Sequence, residues 1–200
     1  MKILKECNLS EAVVELLAGK TMIFPTETSY GLGCDATSQA AADAIFKIKG
    51  RSDDKPLLVV VPNVAMAKEY LVWNKAIDVL ANTYWPGPLT VVGLVKENSG
   101  LAKGVVSTLG TVAVRVSPHP IVKFLTESLG KPLVATSANI SGAANIYSGT
   151  EAEAVFSNSS HQPDIILDGG VLPPVPPTTL VDATGDEIKI LRQGELKIEI

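Results

Sequence analysis

SQAAADAIFKIKGRSDDKPLLVVV, residues 38–61, carries the pattern on which the fold turns. From Ser38 to Lys49 the apolar residues recur at helical spacing, with Ala41, Ala42, Ile45, Phe46 and Ile48 on one stripe. Thr37 or Ser38 can cap the first turn, and Gly50 stands at the stop, where a positive φ is often needed. Leu57 to Val61 is then an apolar run without alternation, which predicts a strand buried on both faces. Helix, polar loop and buried strand in that order mark an α/β chain.

The same alternation continues outward. Helices are predicted at Ser10–Ala18, with Val13, Val14, Leu16 and Leu17 as the apolar face, near 64–71, at Lys75–Tyr84 and at Ile121–Leu129. Strands are predicted at 21–24, 89–95, 111–116, 133–135, 165–167, 180–181 and 188–191. Trp85-Pro86-Gly87-Pro88 breaks the chain between helix and strand, and Pro173–Pro177 reads as a stiff extended segment. These strands are too many for a purely parallel sheet, so a mixed sheet is expected.

Two hundred residues with 46% hydrophobic content suit one domain, able to bury roughly 70% of its unfolded surface. A net charge of −4 argues against holding nucleic acid by overall positive charge. A local patch is still open, because Lys47, Lys49, Arg51 and Lys55 fall within nine positions. Cys7 and Cys34 fit no metal or redox spacing, and no apolar run reaches membrane-spanning or signal-peptide form. A cytoplasmic setting without membrane contact is the expectation.

Three polar segments interrupt the apolar surroundings at strand or helix ends, where α/β proteins bind ligands. PTETSYGLG (25–33) brings hydroxyls, one carboxylate and two glycines, or is only a strand-to-helix loop. KGRSDDKP (49–56) places Lys49, Arg51 and Lys55 where they can converge on a polyphosphate; a solvated helix end is the plainer alternative. ATSANISG (135–142) can cradle a phosphate, or satisfy its own backbone as an Asx turn. Arg115, inside an apolar strand, needs either an anion or a sheet edge. His119 and His161 read as a helix-start residue and a solvated one. No Walker loop, GxGxxG, catalytic triad or zinc pattern is present.

Together these stretches resemble the YrdC-like threonylcarbamoyl-adenylate synthases: PTETSYGLG, the KGR and KPL pair (49–57), WPGPLT (85–90), TVAVR (111–115), TSANISG (136–142) and LRQG (191–194), in order. The resemblance implies the short form of that family, one catalytic domain over 1–200. It implies an α/β fold in which a twisted mixed sheet with flanking helices surrounds a concave cationic cavity. It also implies that ATP with Mg²⁺, L-threonine and bicarbonate yield threonylcarbamoyl-AMP and pyrophosphate for tRNA threonylcarbamoyladenosine, with tRNA or a tRNA-modification complex as a further partner and no tightly bound protein metal site.

Carried over by position, Lys49, Arg51, Ser137 and Asn139 form the catalytic set. Lys55, Thr111, Asn145 and Arg192 complete the nucleotide site; Thr28, Tyr30, Arg115, Ala135 and Thr178 line the threonine pocket, Arg115 taking the carboxylate. Val60 stands where some relatives have histidine, and Ser117-Pro118-His119-Pro120 shifts a proline that usually lies nearer Arg115. Two other readings fit the same resemblance: a non-catalytic module binding double-stranded RNA or tRNA, and a paralogue like the domain within hydrogenase-maturation carbamoyltransferases.

Overall fold

Eleven strands sort into two mixed sheets among the described residues, 1–50, 56–185 and 187–199 of the computed structural model. The five-stranded sheet runs β1 (Lys2–Lys5), β9 (Ile165–Asp168), β2 (Met22–Pro25), β3 (Tyr30–Gly33), β8 (Thr136–Ser137). The six-stranded sheet runs β11 (Lys189–Arg192), β10 (Thr179–Asp182), β5 (Leu89–Leu94), β6 (Thr111–Val116), β4 (Val59–Val61), β7 (Leu133–Val134). The expected mixed sheet is therefore divided in two.

Strand-by-strand alternation explains why both faces of these sheets are apolar. On β2, Met22 and Phe24 point into one cluster with Leu16, Ile121 and Leu125, while Ile23 points into the other. Val60 on β4 joins the first cluster, and its neighbours Val59 and Val61 join the second. Side chains that alternate along a strand can feed two cores only if both faces are covered. Helices α1 (Leu9–Leu17) and α5 (Pro120–Leu129) cover one side. Residues of α2 (Gln39–Lys49), α3 (Val64–Tyr70), α4 (Lys75–Tyr84) and α6 (Gly149–Phe156) pack into the larger cluster.

The helix boundaries follow from their caps. Ser38, Asn63 and Asn74 accept hydrogen bonds from the backbone N–H of Ala41, Met66 and Ile77 at 3.4, 2.9 and 2.8 Å. Such bonds satisfy donors that the first turn leaves unpaired. Gly50 and Gly130 end α2 and α5 in the left-handed conformation, at φ 56° and 66°. In α1 the buried residues are Ala12, Val13 and Leu16; Val14 and Leu17 face solvent, so the apolar stripe is narrower than its sequence suggests.

Two departures from the sequence reading position the site. PTETSYGLG is a hairpin rather than a strand-to-helix loop: β2 and β3 pair antiparallel, Pro25 opposite Tyr30. A Cβ on Gly33 would lie 1.7 Å from the carbonyl oxygen of Val134, so only glycine allows this hairpin to lie against β7. The chain then leaves the six-stranded sheet after Val134 and joins the other at Thr136, with Ala135 alone between them. The seam between the sheets opens beside that residue.

Candidate functional site

A cavity of about 400 Å³ lies at this seam, and its wall draws on both sheets. The hairpin supplies Thr28 and Tyr30, and β8 with the loop after it supplies Ser137 and Asn145. The same lining takes Arg115 of β6, Thr178 at the end of the proline-rich segment, and Arg192 of β11. Ala135 sits between the two groups. A second, larger hollow of about 1180 Å³ adjoins the first along Pro56, Ala113 and Leu180, and Thr111 borders it.

Arg115 is 4% exposed, so its charge has to be met inside the protein. Glu27, from the hairpin turn, meets it: Oε1 lies 2.8 Å from Nη1. The contact is an ion pair without hydrogen-bond alignment, and Arg115 Nε finds no acceptor among the described residues. Burial pulls the Arg115 guanidinium below its ordinary pKa, Glu27 opposes that, and the nearby charge of Arg192 adds to it. Ser117 Oγ donates to Glu27 Oε2 at 2.6 Å and accepts from the His119 backbone N–H at 3.2 Å.

Thr26 fixes the turn that carries Glu27. Its hydroxyl donates to the Ser29 carbonyl at 2.7 Å and accepts from the Thr28 N–H at 3.2 Å. Tyr30 borders the cavity, yet its hydroxyl donates to the Gly170 carbonyl at 2.7 Å and accepts from Gly169 N–H at 3.0 Å. Burial pushes its pKa up to about 12.

Lys49 occupies a different place. It is 2% exposed, and its Nζ donates to the Ser137 carbonyl, the Asn139 carbonyl and Asn139 Oδ1 at 2.6, 2.9 and 3.0 Å. Asn139 Oδ1 also accepts from Ser137 Oγ at 2.7 Å, and its Nδ2 donates to the Ala143 carbonyl. Lys49 and Asn139 stand behind the loop, while Ser137 fronts the cavity. Arg51 and Lys55 lie outside the described residues.

The opposite rim rests on backbone contacts. Arg192 donates through Nε and Nη2 to the Thr178 carbonyl at 3.2 and 2.9 Å, and Nη2 also reaches Thr178 Oγ1 at 3.3 Å. Thr178 Oγ1 shares a hydrogen bond with the fully buried Thr90 at 2.9 Å. Gly194 lies so close that an added Cβ would sit 2.1 Å from the Pro177 carbonyl oxygen. Thr111 is bonded through its hydroxyl to Ser107 at 2.7 Å.

The geometry therefore brings Thr28, Tyr30, Arg115, Ala135, Ser137, Asn145, Thr178 and Arg192 to one wall, sets Thr111 in the adjoining hollow, and seats Lys49 and Asn139 one layer back. Sequence reasoning did not single out Glu27, Ser117 or Thr90 as individual parts of the site. Glu27 lay inside a quoted segment, and a buried arginine demands a carboxylate, but nothing in the spacing pairs residues 27 and 115. No group of three or more His, Cys, Asp or Glu suited to a metal ion occurs among the described residues. Among them, too, no helix is long and apolar enough to cross a membrane.

Comparison with known proteins places the chain. The Sua5–YciO–YrdC family model, described as telomere recombination, matches residues 15–194. A threonylcarbamoyl-AMP synthase of Pyrococcus abyssi is 35% identical over 200 residues, covering 98% of this chain and 56% of that protein. The chain thus spans little more than half of that relative's length. The synthase of Pseudoalteromonas translucida is 32% identical over 189 residues, covering 92% of this chain and 97% of its own. The crystal structure of P. abyssi Sua5 complexed with L-threonine superposes with a TM-score of 0.87 at 32% identity, over 98% of this chain and 57% of that one.

Proposed function

The chain belongs to the Sua5–YciO–YrdC family, and from that premise we propose that it is a threonylcarbamoyl-AMP synthase, joining L-threonine, bicarbonate and ATP with release of pyrophosphate and water. The observation that carries this reading is the cavity at the seam, where two arginines and a set of hydroxyls from distant segments share one wall.

The chemistry asks for such a wall. Threonine's amine takes up bicarbonate-derived CO₂ as a carbamate, a carbamate oxygen attacks the α-phosphorus, and the bond to pyrophosphate breaks. Two anions must approach each other, and at 4 Å two unit charges repel by about 4 kcal/mol at an effective dielectric of 20. Cations fixed in place before the ligands arrive offset that repulsion without reorganising. Holding carbamate and triphosphate in line supplies the rest, as in phosphoryl transfer generally.

In this reading Arg115 takes the threonine carboxylate, with Thr28, Ala135 and Thr178 around the side chain and Tyr30 closing the floor through its bonded ring. Ser137, Asn145 and Arg192 face the phosphates, Arg51 and Lys55 are assigned to the same ligand by the resemblance alone, and Thr111 meets the nucleoside end in the adjoining hollow. Lys49 and Asn139 serve the phosphates by holding the loop that presents Ser137. ATP enters as its Mg²⁺ complex, one domain carries the whole reaction, and the product passes to a tRNA-modification complex.

Pyrophosphate release, followed with each substrate left out in turn, tests the reading. Release is expected only when ATP, threonine and bicarbonate are all present. Release indifferent to threonine overturns it.

A further inference from the structure

We propose that Glu27 sets the selectivity of the threonine end of the cavity: by neutralising Arg115 before any ligand arrives, it keeps phosphate groups off that arginine. The inference rests on the reading that Arg115 receives the amino-acid carboxylate, and it assigns Glu27 a task beyond that reading.

The reasoning starts from a difficulty the cavity creates for itself. Arg115 and Arg192 both line it, and Arg115, 4% exposed, is a cation poorly solvated by water. A polyphosphate carries several charges where an amino-acid carboxylate carries one. In an enclosed space of low effective dielectric, the multiply charged group wins any uncompensated arginine. The nucleotide would then occupy the amino-acid end, and specificity calls for something that disfavours the wrong ligand.

Glu27 is built for that purpose. Its Oε1 lies 2.8 Å from Arg115 Nη1, so the pair is close to neutral as seen from the cavity. Ser117 holds Oε2 at 2.6 Å, which keeps the carboxylate from swinging away, and the Thr26 hydroxyl bonds fix the turn from which Glu27 projects. The pair is nevertheless unsaturated. Arg115 lines the cavity, and among the described residues only its Nη1 is paired, to Glu27 and without hydrogen-bond alignment, so the guanidinium retains capacity for one more oxygen ligand. A single carboxylate can share an arginine in this state. A pyrophosphate would bring several negative charges against Glu27 as well, and that repulsion keeps it at the Arg192 end.

Isothermal titration of threonine, with and without saturating inorganic pyrophosphate, reads the proposal directly. In the unaltered protein, pyrophosphate is expected to change threonine affinity by no more than about twofold. In Glu27→Gln, which preserves size and an acceptor for Ser117 but removes the charge, pyrophosphate is expected to compete and weaken threonine about tenfold. Without pyrophosphate, Glu27→Gln is expected to bind threonine at least as well as the unaltered protein. Should Glu27→Gln fail to fold by circular dichroism, Glu27→Asp serves, because its carboxylate is one methylene short of the 2.8 Å contact; competition of about threefold is then expected.

Three results overturn the idea: pyrophosphate competing equally in the unaltered protein, no competition in whichever variant folds, or threonine binding lost in the variant even without pyrophosphate. The last would make Glu27 a prop for Arg115 and nothing more. If the unaltered protein binds no threonine at all, the functional reading itself fails, which is a separate outcome.

Discussion

Arg115 and Arg192 face the same hollow but are held by opposite means. Arg115 lies on β6, inside its sheet, is 4% exposed and is met by a carboxylate. Arg192 lies on the edge strand β11, open to solvent, and leans on the Thr178 carbonyl. A buried cation without its partner is costly, so one end of the cavity is locked by electrostatics. The other end is held by close backbone packing and part-buried hydrogen bonds between neutral groups and one arginine, and is correspondingly easier to adjust. The Arg115 end is rigid; the Arg192 end is stiff only where the chain segments touch.

Substitutions can break this contrast, beginning with the largest. Arg115→Met strands Glu27 and is expected to cost about 3–5 kcal/mol in chemical denaturation, with threonine affinity falling about 100-fold. Gly194→Ala pushes a methyl group into the Pro177–Thr179 backbone; about 1–3 kcal/mol and at least tenfold of pyrophosphate release are expected to be lost. Thr90→Val removes the partner of the Thr178 hydroxyl, and a loss of about 1 kcal/mol in the melting experiment is expected, with threonine KM raised more than that of ATP. Arg192→Gln is expected to leave stability within about 0.5 kcal/mol while raising the KM for ATP. Equal stability losses at Arg115 and Arg192 would erase the distinction.

The smallest effect is a pH dependence. His119 sits at the start of α5 without a side-chain cap bond, its Nδ1 buried and without a partner among the described residues, and burial lowers its pKa below the ordinary 6.5, helped by Arg115 and opposed by Glu27 and Glu6. The unfolded chain therefore binds the proton first as pH falls. Stability is fully present above about 6.5 and declines below it until the folded-state value is passed. His119→Asn is expected to flatten that decline between about pH 7 and 5.5 in thermal melts.

How much of this was legible varies with the range of the interaction. The ends of α2 were readable because Ser38 and Gly50 act on their own neighbours, whereas the Asn63 and Asn74 caps of α3 and α4 were seen only in the structure. The buried strand was readable, expected at 57–61 and found at Val59–Val61, because two covered faces leave no polar positions. The division into two sheets was not, since strand pairing joins residues such as Gly31 and Ser137 that share no local pattern. Helix α6 was missed because only Ala152 and Phe156 among its larger side chains are buried, and it begins on Gly149, tight against Asp168. At the site, quoted motifs located most of the wall. They could not tell that Lys49 turns its ammonium onto Ser137 and Asn139, because the direction of a side chain depends on where a loop 88 residues later comes to rest.

The single-residue passage through Ala135 has a mechanical consequence. Anything lodged beside it leans on two sheets at once, so an occupied cavity acts as a rivet across the seam. Amide exchange should then slow together in β3 and β6 when ligand is added, strands that share no hydrogen bond with each other.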